Sequence, residues 1–487
     1  MCGTPIRSMA PDSRVERTIT VPTTASPATN ASPLTGAPYH SPYLGGGSCP
    51  GWRSCDTGLV RALAVVACGA IAAGAACSGS SGAPGDGGLD GDGAAGTPDA
   101  DPGPPPLCDV QIECGGAEIP DEPKIGCEIV IGDGLGSVVH RGRVGIERRG
   151  RSSIAFPKAQ YSMELRSDTD AEEPVGLFGM GRESDWILNG MYIDRALFRN
   201  RLFFDLFQGL GGPERYAPQT RYCELTLDGD YRGIYLLTEK IKRDDDRVAL
   251  ADDGGAGASF ILKQDEDGFR EIGVAYGSWK LVYPNDLTAT QPQIDGVSGW
   301  LDAWQAAVEG TSDTDVFTLM DLDSAVDFVL LQELAKGNDA YFLSMHVWKD
   351  VGGTLHFTPW DLDLSLGQPL YNDSTLTTGW VAYRPPLIQA LANDARFQAR
   401  LVERWTELRR TAFSAEAIEA RIQLYLAIIG DRIDENFARW PIEDIQFLDD
   451  QLPPRSSFAE EMEVVRGWID GRLPWVDEHI GAYAAGN

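Results

Sequence analysis

Residues 78–106 read SGSSGAPGDGGLDGDGAAGTPDADPGPPP, and this tract limits what the rest of the chain can build. A segment dominated by Gly, Pro, Asp and Ser has too little apolar surface to offset the entropy of ordering its backbone, so it is expected to be a flexible tether. Ahead of it, residues 1–58 are rich in Pro, Ser and Thr and show no hydrophobic period. The folded part is therefore expected from about Cys108 onward, and the length of 487 residues overstates it. A hydrophobic content of 43% with twelve Trp is ample for a sizeable core. The formal charge of -31, from 72 Asp plus Glu against 41 Lys plus Arg, argues against non-specific binding to nucleic acid or to an anionic membrane. Any anionic ligand then needs a local basic site.

The one strongly apolar run, LVRALAVVACGAIAAGAAC from Leu59 to Cys77, has an arginine near its front, an alanine-rich middle and a small-residue end. That is the grammar of a signal peptide, and the run is too short and too alanine-rich for a membrane span. Together with the tether behind it, the run resembles a bacterial lipoprotein signal with Cys77 as the lipidated residue. Gly74 stands where that motif usually has leucine, which keeps plain secretion with cleavage nearby as the alternative. The expected location is the cell envelope through a lipid anchor, or the medium. Translation is expected to start near Leu59 or Val60, with a disordered extension over 1–58 as the alternative. After Cys77 come Cys108, Cys114, Cys127 and Cys223, an even number in a chain read as exported. Two disulfides are expected, with three pairings open; zinc is the rival reading, but no CxxC spacing supports it.

Beyond the tether (78–107) and a cysteine-containing segment (108–139), the main domain is expected over 140–410, with 411–487 as its C-terminal helical part. QYSMELRS alternates Tyr161, Met163 and Leu165 against polar neighbours, a half-buried strand. DRALFRNRLFFDLFQGLGG carries Leu197, Phe198, Leu202, Leu206 and Leu210 at helical spacing, with Asp194 as the expected N-cap. YCELTLDGDYRGIYLLTEKI reads as a hairpin about Asp228-Gly229. DSAVDFVLLQELAKGND predicts a helix with Ser324 and Asp327 in capping-box positions and Gly337 at its end. SMHVWKD and TLHFTPWD, joined at Gly352-Gly353, form a second hairpin. AIEARIQLYLAIIGDRIDENFARW and MEVVRGWIDGRLPWVDEHI read as amphipathic helices. The fold class is α+β.

The second hairpin carries the chemistry. Asp339 precedes its first strand and Asp361 follows its second, so antiparallel pairing brings the two carboxylates to one end. One suits a base for a substrate hydroxyl, the other an oxygen ligand for Mg²⁺, in the order that protein kinases use; Asp363 stands two residues on. By itself this pattern is weak, since Asp at strand ends is common. A basic run sharpens it: Arg141, Arg143, Arg148, Arg149, Arg151, Lys158 and Arg166 fall against only Glu147 and Glu164. Gly150 to Ser153, including Arg151 and Ser152, offer backbone N–H groups to phosphates, and Lys158, directly before a strand, is the expected phosphate-pairing lysine. His346 and His356 read as cross-strand surface residues, and Trp348, Phe357 and Trp360 as core packing. No GxSxG or HExxH is present, which sets hydrolase and zinc-protease readings aside.

RGRSSIAFPKAQYSMELR, DWILNGMYIDRALFRNRLFFDLF, ELTLDGDYRGIYLLTEKI, NDAYFLSMHVWKD and FTPWDLDLSLG resemble, in order, successive motifs of the CotH kinases, the spore-coat protein H family. The resemblance runs from about His140 to Gly367 and continues into WIDGRLPWVDEHI. It implies an atypical protein-kinase-like fold with a C-terminal helical extension, which binds ATP with Mg²⁺ or Mn²⁺ and phosphorylates Ser/Thr of exported or surface proteins. Carried over by position, Lys158 would hold ATP phosphate, Asp339 would be the catalytic aspartate and Asp361, supported by Asp363, the metal ligand. Glu239 would fall at the adenine-side edge of the pocket. Ser344 departs from the pattern, which often has a second-metal asparagine five residues after the catalytic aspartate. That departure leaves a second reading, a pseudokinase serving as a surface binding or structural module.

Overall fold

The computed structural model of the protein describes residues 105–265, 270–271, 278–337, 339–341, 343, 345–368, 373–446 and 452–483. The apolar run at 59–77, Cys77, nearly all of the tether and Ser344 lie outside the described residues.

Seven strands close into a barrel: β1 (Cys108–Glu113), β2 (Ile125–Gly132), β3 (Val138–Arg149), β4 (Gln160–Arg166), β7 (Asp185–Asn189), β8 (Thr220–Leu227) and β9 (Asp230–Glu239). A two-stranded clip, β5 (Val175–Gly176) and β6 (Arg182–Glu183), interrupts the run. Alternation points Val110, Ile129, Val144, Met163, Trp186, Leu225 and Leu237 into a closed apolar interior. Six of the seven pairings are antiparallel. The exception is the seam, where β1 runs parallel to β8 with Cys108 opposite Cys223. The cysteine-containing segment thus supplies two staves of the barrel.

The cysteines pair as Cys108–Cys223, across that seam, and Cys114–Cys127, across the β1–β2 hairpin. Two disulfides fit a protein of an oxidising, extracellular setting. No described helix is long and apolar enough to cross a membrane.

A second sheet, ordered β11 (Arg270–Glu271), β12 (Ser278–Tyr283), β10 (Phe260–Asp265), β13 (His346–Lys349) and β14 (Leu355–Thr358), is antiparallel throughout. Its helical partners are α1 (Arg199–Gln208), α2 (Gln291–Val308), α3 (Leu322–Ala335), α4 (Pro386–Asn393), α5 (Ala395–Leu408), α6 (Ala415–Ile429), α7 (Arg432–Arg439) and α8 (Phe458–His479). α3 is central: twelve of its residues are buried, and its Val326, Val329 and Leu330 share one apolar cluster with Leu202 of α1, Leu401 of α5 and Val465 of α8. The mixed α+β class expected from the sequence holds.

Both expected hairpins form. Asp228 and Gly229 take φ +48° and +75°, the paired left-handed conformation that a two-residue hairpin turn requires. The caps differ from expectation. Phe198 occupies the N-cap of α1, because Leu197 at φ +62° adds a turn that lets Asp194 reach the helix from further back and accept from Arg199 N at 2.7 Å. Asp321, three residues before Ser324, caps α3, accepting from Ser324 N at 2.6 Å, while Asp327 is buried against Arg215 and Arg404. The first C-terminal amphipathic run is divided into α6 and α7 at Gly430, φ +42°.

The chain-entropy contribution of a cross-link grows with the loop it closes. Cys108–Cys223 spans 115 residues and Cys114–Cys127 spans 13. Denaturant unfolding should therefore show Cys108→Ala/Cys223→Ala losing about 4–5 kcal/mol and Cys114→Ala/Cys127→Ala about 3 kcal/mol. Equal losses would remove the seam's special role.

Candidate active site

A cavity of about 540 Å³ opens between the barrel and the second sheet. The volume lies in the range of small-molecule sites. The ends of β3, β4 and β7 supply Arg149, Gln160 and Asn189; α1 supplies Asn200 and Phe204; β10 and β12 supply Lys263 and Lys280. Asp339 enters from the turn after α3, and Trp360, Asp361 and Asp363 from the segment after β14. The hairpin register, His346 opposite Thr358, produces the convergence of the two acidic segments.

The acidic segment is held by its backbone. Leu362 N donates to Asn200 Oδ1 at 2.6 Å, Arg199 Nε donates to the Ser365 carbonyl at 2.9 Å, and Leu366 N donates to the Ala335 carbonyl at 3.0 Å. Two helices, α1 and α3, thereby fix a stretch in which Asp361 has φ +60° and Leu366 φ +49°. Non-glycine residues take such conformations only where the surroundings enforce them, commonly at functional sites. Beneath, Arg199 is buried between Asp194 at 2.8 Å and Glu461 at 2.7 Å.

Burial, and then the carboxylates of Asp361, Asp194 and Asp339, push the Asp363 carboxyl well above the usual range. Negative charge at this floor exceeds what nearby cations offset, a condition a divalent cation would relieve. Among the described residues no three His, Cys, Asp or Glu side chains close on one point as a complete metal cage. Asp361 and Asp363 are the carboxylates at this floor that could hold such a cation.

The opposite wall is cationic. Lys263 and Lys280 are direct cross-strand partners, and like charges so placed repel. Each has an acid near, Asp265 at 2.8 Å from Lys263 and Asp286 at 3.8 Å from Lys280. Arg149 lies with its guanidinium carbon 5.7 Å from the Trp360 ring centre, and Trp360 stacks on Phe204 at 5.8 Å. Gly150, at φ +120°, turns the chain directly after Arg149; a Cβ there would overlap the Ser153 hydroxyl. Arg151, Ser152 and Ser153 follow along the cavity rim.

A family model described as CotH kinase protein matches residues 146–476, a span that contains every cavity residue named above. The chain belongs to the CotH kinase family. It is thus a kinase-like protein. No curated protein matches it. The family span begins inside β3, so β1 and β2, with three of the four bridging cysteines, lie before it.

Of the residues singled out in this CotH kinase chain from sequence, Asp339, Asp361, Asp363, Arg151 and Ser152 meet at the cavity. Lys158 and Glu239 do not line it. Lys158 is 1% exposed, and its Nζ donates to the Ile234 carbonyl at 2.6 Å and to Asn436 Oδ1 at 2.8 Å, so its proton donors are directed between β9 and α7. Glu239, fully buried at the end of β9, accepts from Gln219 N at 2.9 Å and Tyr216 Oη at 3.3 Å. Neither histidine matches the surface reading: His346 is buried with Trp360 edge-on at 6.0 Å, and His356 is half-buried, stacked on Trp348 at 4.5 Å. Trp360 itself forms a cavity wall, whereas Trp348 and Phe357 pack inside. Arg149 stood out only as one member of the basic run, and Lys263, Lys280 and Asn200 not at all; for the two lysines the available signal was a lone lysine in each of FILKQD and SWKLVY.

Two outcomes follow from this packing. Asn200→Ala strands a buried N–H at Leu362 and should lower unfolding free energy by about 1–3 kcal/mol in urea titration. Burial brings the Lys158 amine from 10.5 down to about 7. Between those values the unfolded chain binds a proton that the folded chain does not, so this residue makes stability rise with pH from about 7 toward 10. Urea unfolding at pH 6 and pH 9 should show that rise in the wild type and a smaller one in Lys158→Met; an equal rise in both would discount the Lys158 contribution.

Proposed function

We propose that the protein is an exported, metal-dependent protein kinase that transfers the ATP γ-phosphoryl group to Ser or Thr hydroxyls of secreted or surface proteins. The observation that carries this reading is the convergence of Asp339, Asp361 and Asp363 on one cavity whose other wall presents Arg149, Lys263 and Lys280. Phosphoryl transfer asks of a protein chiefly an aligned nucleophile and compensation of phosphate charge, and the two walls divide those tasks. Asp339 accepts the proton of the incoming hydroxyl and orients its oxygen. Asp361 and Asp363 hold Mg²⁺ or Mn²⁺, which neutralises charge on the phosphates when bound. The cationic wall and the Gly150–Ser153 turn receive the phosphate chain. Lys158, hydrogen-bonded to Ile234 and Asn436, instead braces the barrel against α7.

Export rests on the signal-like run and the two disulfides, and attachment to the envelope on acylation of Cys77. The mature chain then begins at Cys77, which mass spectrometry of native protein would reveal.

Calorimetry with ATP, with and without Mg²⁺ or Mn²⁺, tests the site. Asp361→Ala should remove metal-dependent nucleotide binding. Asp339→Ala should retain binding while phosphate transfer falls by about a hundredfold or more. A wild-type protein that binds no nucleotide with either metal overturns the kinase reading; one that binds without transferring supports the pseudokinase alternative.

A further inference from the structure

We propose that Arg149 is the phosphate-binding cation of this cavity, held without an anionic partner in the empty protein so that a polyphosphate chain completes its hydrogen bonding. The inference rests on the kinase reading for the identity of the nucleotide, but its geometry is independent of that reading.

The other three cations of the cavity each have an acid near. Arg151 lies 3.9 Å from Asp265, Lys263 2.8 Å from the same residue, and Lys280 3.8 Å from Asp286. The Arg149 guanidinium has no hydrogen-bond or ion-pair partner among the described residues; its contact is the face of Trp360 at 5.7 Å. In a chain with 72 acidic residues, a half-buried arginine left in that condition is unusual. Burial pulls it below its ordinary value, and the Asp361 carboxylate, near enough to oppose that shift, lies beyond ion-pair distance. An unpaired charge out of water destabilises the empty fold, whereas a phosphate placed beside it would accept two parallel N–H bonds from the planar guanidinium.

The position is built to be rigid. Arg149 is the last residue of β3, in register with Gln160 of β4, and Gly150 turns the chain away immediately afterwards. Trp360 is clamped between Phe204 and His346, so the ring under the guanidinium is fixed before any ligand arrives. Trp360 also immediately precedes Asp361, which couples the cation's platform to the acidic segment. Arg149 and Asp361 thus line one cavity, the cation at a strand end and the carboxylate beside its platform.

The test uses the full chain and titrates wild type, Arg149→Gln and Arg149→Lys with ATP, adenosine and inorganic tripolyphosphate. Arg149→Gln should weaken ATP and tripolyphosphate binding at least tenfold and leave adenosine binding unchanged, with Arg149→Lys recovering part of the loss. The ligand-free melting temperature of Arg149→Gln should equal or exceed that of the wild type, a result that a merely structural arginine would not give. If the wild type binds ATP and Arg149→Gln binds it within twofold, the inference fails while the kinase reading stands. If the wild type binds tripolyphosphate but not ATP, the kinase reading fails and loss of tripolyphosphate in Arg149→Gln still supports the anion site. Binding of neither overturns both.

Discussion

The guanidinium of Arg199 joins three distant parts of the chain at one buried point. It meets Asp194 in the loop before α1, the Ser365 carbonyl in the acidic segment and Glu461 near the start of α8. Arg455 extends the network to the far carboxylate oxygen of Glu461 at 2.8 Å. A buried group of this kind adds little net stability over an apolar core, but loss of one member leaves charge stranded, at about 3–5 kcal/mol. Its value here is positional. Asn200, the next residue, holds Leu362 N, so the left-handed turn at Asp361 inherits its place from two consecutive side chains of α1. The C-terminal helix, almost a hundred residues further along, keeps that arrangement from relaxing.

The cavity sets carboxylates and cations on opposite walls. Its floor buries the Asp363 carboxyl, and the carboxylates of Asp361, Asp194 and Asp339 add to that burial in raising its hold on a proton. Its wall carries two lysines in direct cross-strand register and an arginine over a tryptophan face. Ligands bearing both phosphate and metal resolve the two imbalances together, and a neutral ligand resolves neither.

What the sequence disclosed was local. The hairpin at Asp228-Gly229, the hairpin holding His346 and His356, and the two aspartates that the latter brings together all depend on turn chemistry and alternation within about twenty-five residues. Lys158 lies away from the cavity because the chain bends there before β4 begins at Gln160. Arg149 pairs with Gln160 and both line the cavity, whereas Lys158, two residues earlier, bonds Ile234 and Asn436. Nothing in a run of arginines and serines announces that bend. α2 was passed over because Pro292, Gly296 and Gly299 dilute its period, leaving Val297, Leu301 and Trp304 as its buried residues. The closed barrel was equally illegible, since its closure is a parallel contact between segments more than a hundred residues apart.

That seam also dictates an order of assembly. Among the described strands β1 is the first to leave a ribosome or a translocation channel, yet one of its two edges has no partner until β8 emerges. Through the intervening stretch the chain can form β2, β3, β4 and β7 as a growing antiparallel sheet, but this sheet stays open, with Val110 and Ile112 on its first strand lacking the far side of their core. An open edge of this kind is a template for pairing with other chains. The hairpin disulfide Cys114–Cys127 can pin the first two strands early, while Cys108 must wait as a free thiol for Cys223. A compartment that oxidises thiols indiscriminately would threaten this chain most during that interval, and one that reshuffles disulfides would suit it.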